Sequence, residues 1–181
     1  MSLKQDIKEI LVSEDQIRNR ARELGEQITA DYEAEGKKPL AIALLRGSVP
    51  FLADLIKYID LDIQYDFMDV TSYEGTRSTG DIKILKDLDT SVVGKDILLV
   101  EDIVDSGYTI QAVKELLLAR EAASVKVVTL LDKPARRVVD VQPEYVGYPI
   151  EDLFVVGYGM DFNQRYRCLP FIGVLKDELY R

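Results

Sequence analysis

The chain has 181 residues, of which 47% are hydrophobic and 30% charged, with one cysteine, no histidine and a formal net charge of −9. That length suits one domain with its own core. A lone Cys168 excludes an intrachain disulfide and a Cys-based zinc site, and the lack of histidine excludes Ser-His-Asp and Cys-His mechanisms and His-ligated metals. The acidic balance argues against a broad nucleic-acid surface, although a small anionic ligand needs only local positive potential. No apolar run approaches the roughly 18 residues needed to cross a bilayer. The N-terminal MSLKQDIKEILVSEDQ carries acids where a signal peptide needs its apolar stretch. A cytoplasmic protein with no membrane partner is therefore expected.

In chain order, Ser13 before Glu14, Asp15 and Gln16 fits a helix capping box. Ile17, Ala21, Leu24, Ile28 and Tyr32 then share one helical face, and Gly36 is placed to end it. PLAIALL, Pro39 to Leu45, is apolar on both faces and suits a strand buried in a parallel sheet. Arg46 to Pro50 reads as a turn, and FLADLIKYI as a helix. Ile63, Tyr65 and Phe67 alternate with polar residues, which predicts a strand with one wetter face. SYEGTRSTGD, Ser72 to Asp81, reads as a loop, and IKIL resumes a strand.

KDILLV, Lys95 to Val100, predicts another buried strand, followed by a loop over 101–109 and a helix marked by Ile110, Val113 and Leu117. VKVVTLL, LFVVGY and FIGVL are the remaining predicted strands. Strands alternating with helices point to an α/β fold with a mainly parallel twisted sheet and helices on both faces. Ligands of such sheets gather at the carboxyl ends of the strands. Attention therefore falls on Arg46–Gly47, Ser72–Tyr73, Glu101–Thr109, Asp132–Lys133 and Asp161.

The most informative stretch is VEDIVDSGYT, Val100 to Thr109. An apolar strand runs into two acids, then a third, then Ser-Gly-Tyr-Thr opening a helix. Gly107 can take backbone angles other residues avoid. The amides of residues 105–109, with the hydroxyls of Ser106 and Thr109, can cup a phosphate at a helix start. Glu101 and Asp102 can accept hydrogen bonds from sugar hydroxyls or hold a divalent cation. Standing alone, D-S-G-x-T is more often a polar turn with a helix cap; the preceding strand and acid pair reverse that preference. Neither a Walker loop nor a GxGxxG fingerprint is present.

This pattern resembles the phosphoribosyl pyrophosphate (PRPP) motif of the type I phosphoribosyltransferases. More narrowly, five segments in order resemble the bacterial hypoxanthine-guanine phosphoribosyltransferases: LLRGSVPF, SYEGTRSTGDIKI, VEDIVDSGYT, LLDKPARR and FVVGYGMDFNQRYR. The resemblance implies a single domain over 1–181 with a small hood from the chain ends, about 1–12 and 150–181. It implies that Asp105 is the acid–base group near the purine N7. Glu101 and Asp102 would bind ribose hydroxyls and, with Asp161, position Mg²⁺. Ser106, Gly107, Tyr108 and Thr109 would hold the 5′-phosphate. Arg167 and the Arg46–Gly47 backbone would bind pyrophosphate, with a cis peptide at Leu45–Arg46. Lys133, Phe154, Val155 and Asp161 would contact the purine, and Ser72 and Tyr73 would close over the site as a mobile loop.

Two positions depart from the family's habit: Arg46, where Lys is frequent, and Tyr108, where a basic residue is common. The implied activity is Mg-dependent phosphoribosyl transfer from PRPP to hypoxanthine or guanine, a purine-salvage reaction, by a homodimer or homotetramer that binds no nucleic acid. Two other readings stand beside it: an RNA-binding pyrimidine regulator of the same fold, and a phosphoribosyltransferase that prefers xanthine.

Overall fold

The structure is a computed structural model that describes residues 3–72 and 82–180. Tyr73 and the rest of the expected mobile loop through Asp81 lie outside the described residues. Ser72 closes a strand rather than opening the loop.

The elements are β1 (Ile7–Val12), α1 (Glu14–Ala34), β2 (Leu40–Leu44), α2 (Val49–Leu55), β3 (Gln64–Ser72) and β4 (Ile82–Lys86). They continue with β5 (Asp96–Val104), α3 (Tyr108–Ala119), β6 (Ser124–Asp132), β7 (Tyr145–Pro149), β8 (Val155–Val156) and β9 (Ile172–Leu175). Among the described residues no helix is long and apolar enough to cross a membrane.

Six strands form the main sheet in the order β4-β3-β2-β5-β6-β7, parallel at every joint except β3–β4. Alternation along buried strands divides the core between the two faces. Ala41, Ala43, Leu98 and Val100 pack toward α1 and α2, through Ile17, Leu24, Ile28 and Phe51. Leu40, Ile42, Ile97 and Leu99 pack toward α3, through Ile110, Val113 and Leu117. The expected α/β architecture with helices on both faces is what the chain forms.

The first helix is fixed locally. The Ser13 hydroxyl accepts from the Gln16 amide at 3.3 Å, and the Gln16 side chain accepts from the Ser13 amide at 2.8 Å. The five expected apolar positions are all buried. Such a box satisfies two of the amides a helix start leaves unpaired.

Three details differ from the sequence reading. On β3 the buried face is Asp66 and Met68, while Tyr65 is 54% exposed. The Asp66 carboxylate accepts from the amides of Phe67, Asp89 and Thr90, so its burial is compensated by hydrogen bonds. Strand β5 does not stop at Val100 but continues to Val104, held by β6 through pairs such as Glu101–Thr129 and Val104–Asp132. The third detail is that β1 and β7 form strands where no strand was expected. β7 contains Gly147 and ends in Pro149, two residues that disfavour strands, and Arg20 of α1 donates to the carbonyls of Val146 and Gly147.

A second, antiparallel sheet, β1-β9-β8, joins the two ends of the chain, with Ile7 opposite Leu175 and Val155 opposite Val174. It stands over the carboxyl edge of the main sheet and carries the segment from Phe154 to Arg167 toward it.

Candidate active site

The carboxyl end of β5 is the centre of the site. Beyond Val104 the chain turns through Asp105 and Ser106, and Gly107, at φ 88°, caps α3 in the left-handed region. A side chain there is strained by about 1–2 kcal/mol, which explains the glycine. The first amides of α3 have no partner within the helix and face outward with the positive end of its dipole. Glu101, Val104, Asp105, Ser106, Gly107 and Thr109 line a cleft at this point. Tyr108 opens α3 but is not part of that lining.

The turn is braced by the segment that follows β6. The Ser106 carbonyl accepts from Val138 at 2.9 Å and from Val139 at 3.4 Å. Arg137 Nε donates to the Asp105 carbonyl at 3.1 Å, while its terminal nitrogens bind the Val141 carbonyl and the Asp132 carboxylate. Arg137 is a site residue that sequence reasoning missed. Its only sequence signal was its place shortly after a strand end in LLDKPARR. Nothing in the spacing says that it folds back onto the neighbouring loop.

A second cleft adjoins the first. Asp102, Lys133, Phe154, Val155, Met160 and Asp161 line it, and Ile103 belongs to both walls. Lys133 is only 7% exposed. Its ammonium donates to the Leu153 carbonyl at 2.7 Å and lies 3.6 Å from Asp152. Arg136 links two carboxylates: its Nε lies 2.8 Å from Asp105 Oδ1, and Nη1 lies 3.3 Å from Asp152. Asp161 pairs with Arg167 Nη2 at 2.7 Å and accepts from the Gln164 amide at 2.8 Å.

Burial raises the proton affinity of Glu101 well above the ordinary carboxylate range, and the adjacent Asp102 carboxyl adds to the effect. Glu101 Oε2 is buried with no hydrogen-bond partner. Burial also pushes Asp102 upward. The Ile103 amide, donating at 2.8 Å, and the nearby Arg167 charge act the other way. A buried, unpartnered oxygen beside a second carboxylate fits a cation or a hydroxyl donor. Among the described residues, however, no three Cys, Asp or Glu side chains converge on one point. The expected trio Glu101, Asp102 and Asp161 is thus not a ready-made cage, and Asp161 is turned toward Arg167.

The Leu45–Arg46 peptide is cis, as the resemblance implied. Arg46 itself is exposed, whereas Gly47 is buried. A methyl at Gly47 would lie 1.7 Å from Asp102 Oδ2, and one at Gly159 would lie 2.1 Å from the Gly47 carbonyl oxygen. Arg167 Nη1 donates to the Gly159 carbonyl at 2.7 Å. The Tyr158 hydroxyl reaches Asp54 at 2.5 Å and the Pro50 carbonyl at 3.2 Å, tying this segment to α2. The strand ends thus bring together Gly47, Asp102, Asp161 and Arg167. Ser72 lies at the end of β3, and Tyr73 is outside the described residues.

A mostly parallel sheet with a cleft between its central strand and the following helix, and a second cleft adjoining it, is the arrangement of the phosphoribosyltransferase class. The sequence model of the phosphoribosyl transferase domain matches residues 10–163. The hypoxanthine-guanine phosphoribosyltransferase of Bacillus subtilis is 52% identical over 98% of both chains. That of Lactococcus lactis is 53% identical over 99% of this chain and 97% of its own. A crystal structure of a hypoxanthine phosphoribosyltransferase from Staphylococcus aureus superposes with a TM-score of 0.94. It is 49% identical and covers 99% of this chain and 97% of its own. The chain belongs to the hypoxanthine-guanine phosphoribosyltransferase family.

Proposed function

We propose that this chain transfers the phosphoribosyl group of PRPP to N9 of hypoxanthine or guanine, giving IMP or GMP and pyrophosphate. The observation that carries the proposal is the pair of adjoining clefts sharing Ile103, one lined by Ser106, Gly107 and Thr109 at the start of α3 and one lined by Lys133, Phe154 and Asp161.

In this reading the amides and hydroxyls of Ser106, Gly107, Tyr108 and Thr109 hold the 5′-phosphate. Glu101 and Asp102 accept hydrogen bonds from the ribose hydroxyls, which relieves the cost of their burial. The Lys133 ammonium donates to the 6-oxo oxygen of the base. Adenine carries an amino donor there and would leave two donors facing each other, so the same lysine selects against it. Phe154 stacks on the ring, and backbone groups near Val155 and Asp161 read its far edge. Asp105 exchanges a proton at N7. With no histidine in the chain, a carboxylate is the natural group for that role. Arg167 and the backbone at Arg46–Gly47 take the pyrophosphate.

Mg²⁺ belongs to the same proposal. A hard cation prefers carboxylate and phosphate oxygens and keeps several waters. The pair Glu101–Asp102 and the single Asp161 suit a cation shared with substrate oxygens. Such a cation would stabilise charge on the leaving pyrophosphate. A cytoplasmic location and a homodimer or homotetramer complete the reading.

The test is an assay with PRPP and Mg²⁺ and each base in turn (hypoxanthine, guanine, xanthine, adenine), following pyrophosphate release. Turnover with hypoxanthine or guanine and not adenine is expected. Absence of turnover with both oxopurines overturns the proposal.

A further inference from the structure

The wall of the base cleft is braced by the end of the chain. Phe154 lines that cleft, whereas Tyr180 does not. Yet the Tyr180 ring lies parallel to the Phe154 ring, with centroids 4.5 Å apart and planes 17° apart. Phe162 meets Phe154 at 90°, with centroids 5.4 Å apart. Parallel and edge-on contacts are the two favourable geometries of aromatic pairs. Phe154 is half-buried, so these neighbours fix the plane it presents to the cleft.

Tyr180 is itself held. Its hydroxyl donates to Asp177 Oδ1 at 3.0 Å and its amide to the Asp177 carbonyl at 3.3 Å. The Lys176 amide donates to the Asp6 carbonyl at 3.0 Å, and the Leu175 amide to the Phe154 carbonyl at 2.9 Å. The tail after β9 is thus tied at one point to the N-terminal segment and at another to Phe154. Tyr180 closes the short turn Asp177–Leu179 and lies on an aromatic face.

We propose that Tyr180 is a positioning residue for the purine: by stacking behind Phe154 it holds that ring in the plane against which the base lies. The proposal rests on the reading of Phe154 as the purine-stacking residue. Its effect falls on base binding and not on PRPP, because Tyr180 does not line the cleft at the start of α3. Losing an aromatic partner reduces binding roughly three- to ten-fold.

The experiment compares Tyr180→Phe, Tyr180→Leu and Tyr180→Ala with Phe154→Ala, measuring KM for guanine and for PRPP, and kcat. Tyr180→Leu and Tyr180→Ala are expected to raise the guanine KM by roughly that factor, with the PRPP KM and kcat within about twofold. Tyr180→Phe, which keeps the ring, is expected to restore the guanine KM. Phe154→Ala separates the two layers. If it leaves the guanine KM unchanged, the stacking reading of Phe154 fails. If it raises that KM but Tyr180→Leu behaves like Tyr180→Phe, the role of Tyr180 fails. An equal rise in both substrates' KM in the Tyr180→Leu variant points to general loosening of the hood and also overturns the inference. Should Tyr180→Ala not fold, the Leu and Phe variants decide the matter.

Discussion

Gly47 lies so close to Asp102 that a methyl on its Cα would sit 1.7 Å from the carboxylate Oδ2. The turn after β2 is therefore pressed against the acid at the end of β5, with no room for any side chain between them. The same turn meets Gly159 from its other side, at 2.1 Å between the Gly47 carbonyl oxygen and a methyl placed there. Three chain segments remote in sequence depend on this one contact.

Gly47→Ala should force Asp102 or the turn to move by an ångström or more. Misplacing reacting groups on that scale costs about 100-fold in rate. We expect kcat/KM to fall by about that factor while the fold persists. Steady-state kinetics with a circular dichroism control check this, and activity close to the parent protein would show that the contact has slack.

Asp105→Asn keeps the shape of the loop and removes the proton acceptor. General acid–base groups contribute about 100- to 10,000-fold. We expect kcat to drop within that range with KM for both substrates little changed. A variant with near-normal turnover would remove Asp105 from the assigned role.

Glu101→Gln separates stability from function. In the folded, ligand-free protein the carboxyl of Glu101 binds its proton more tightly than in the unfolded chain. The folded state therefore holds more protons than the unfolded state above the ordinary glutamate value, about 4.3. Stability from this group is present in full below that value and is lost as pH rises toward the raised one. Glutamine has no charge to bury. At pH 8 the variant should melt higher than the parent, by about 2–4 °C for each kcal/mol relieved, and the gain should vanish near pH 4. Its KM for PRPP should rise. Melting curves at the two pH values test the sign; a variant less stable at pH 8 than the parent would contradict it.

Arg137→Ala removes one partner of a largely buried ion pair with Asp132, together with a tie to the Asp105 carbonyl and one to the Val141 carbonyl. Leaving a buried charge unpaired costs about 3 kcal/mol. We expect a loss of that order in denaturant unfolding, together with a raised KM for PRPP. A raised guanine KM alone would place Arg137 on the wrong cleft.

Much of this protein was legible without coordinates, because the signals were local. The capping box at Ser13 and Gln16 needs only one turn of chain. The buried strands PLAIALL and VKVVTLL announce themselves by apolar content, and VEDIVDSGYT carries strand, acids, glycine and helix start within ten residues. Where the reading erred, the cause was distant in sequence. Tyr65 looked like a core residue, yet Asp66 is buried because the amides of Asp89 and Thr90 come to its carboxylate. β1 was overlooked because its partner is β9, at the far end of the chain.

The sequence by itself determined the fold class, the turn from β5 into α3 at Gly107 and the exclusion of histidine chemistry, since each depends on residue type and short-range order. Only the tertiary structure decided that Gly47 abuts Asp102, that Arg137 braces the loop at Asp105 and that Tyr180 stacks on Phe154. Those contacts arise where strand ends from separate βα units and the two chain termini converge, and local propensity carries no information about which distant side chains will meet there.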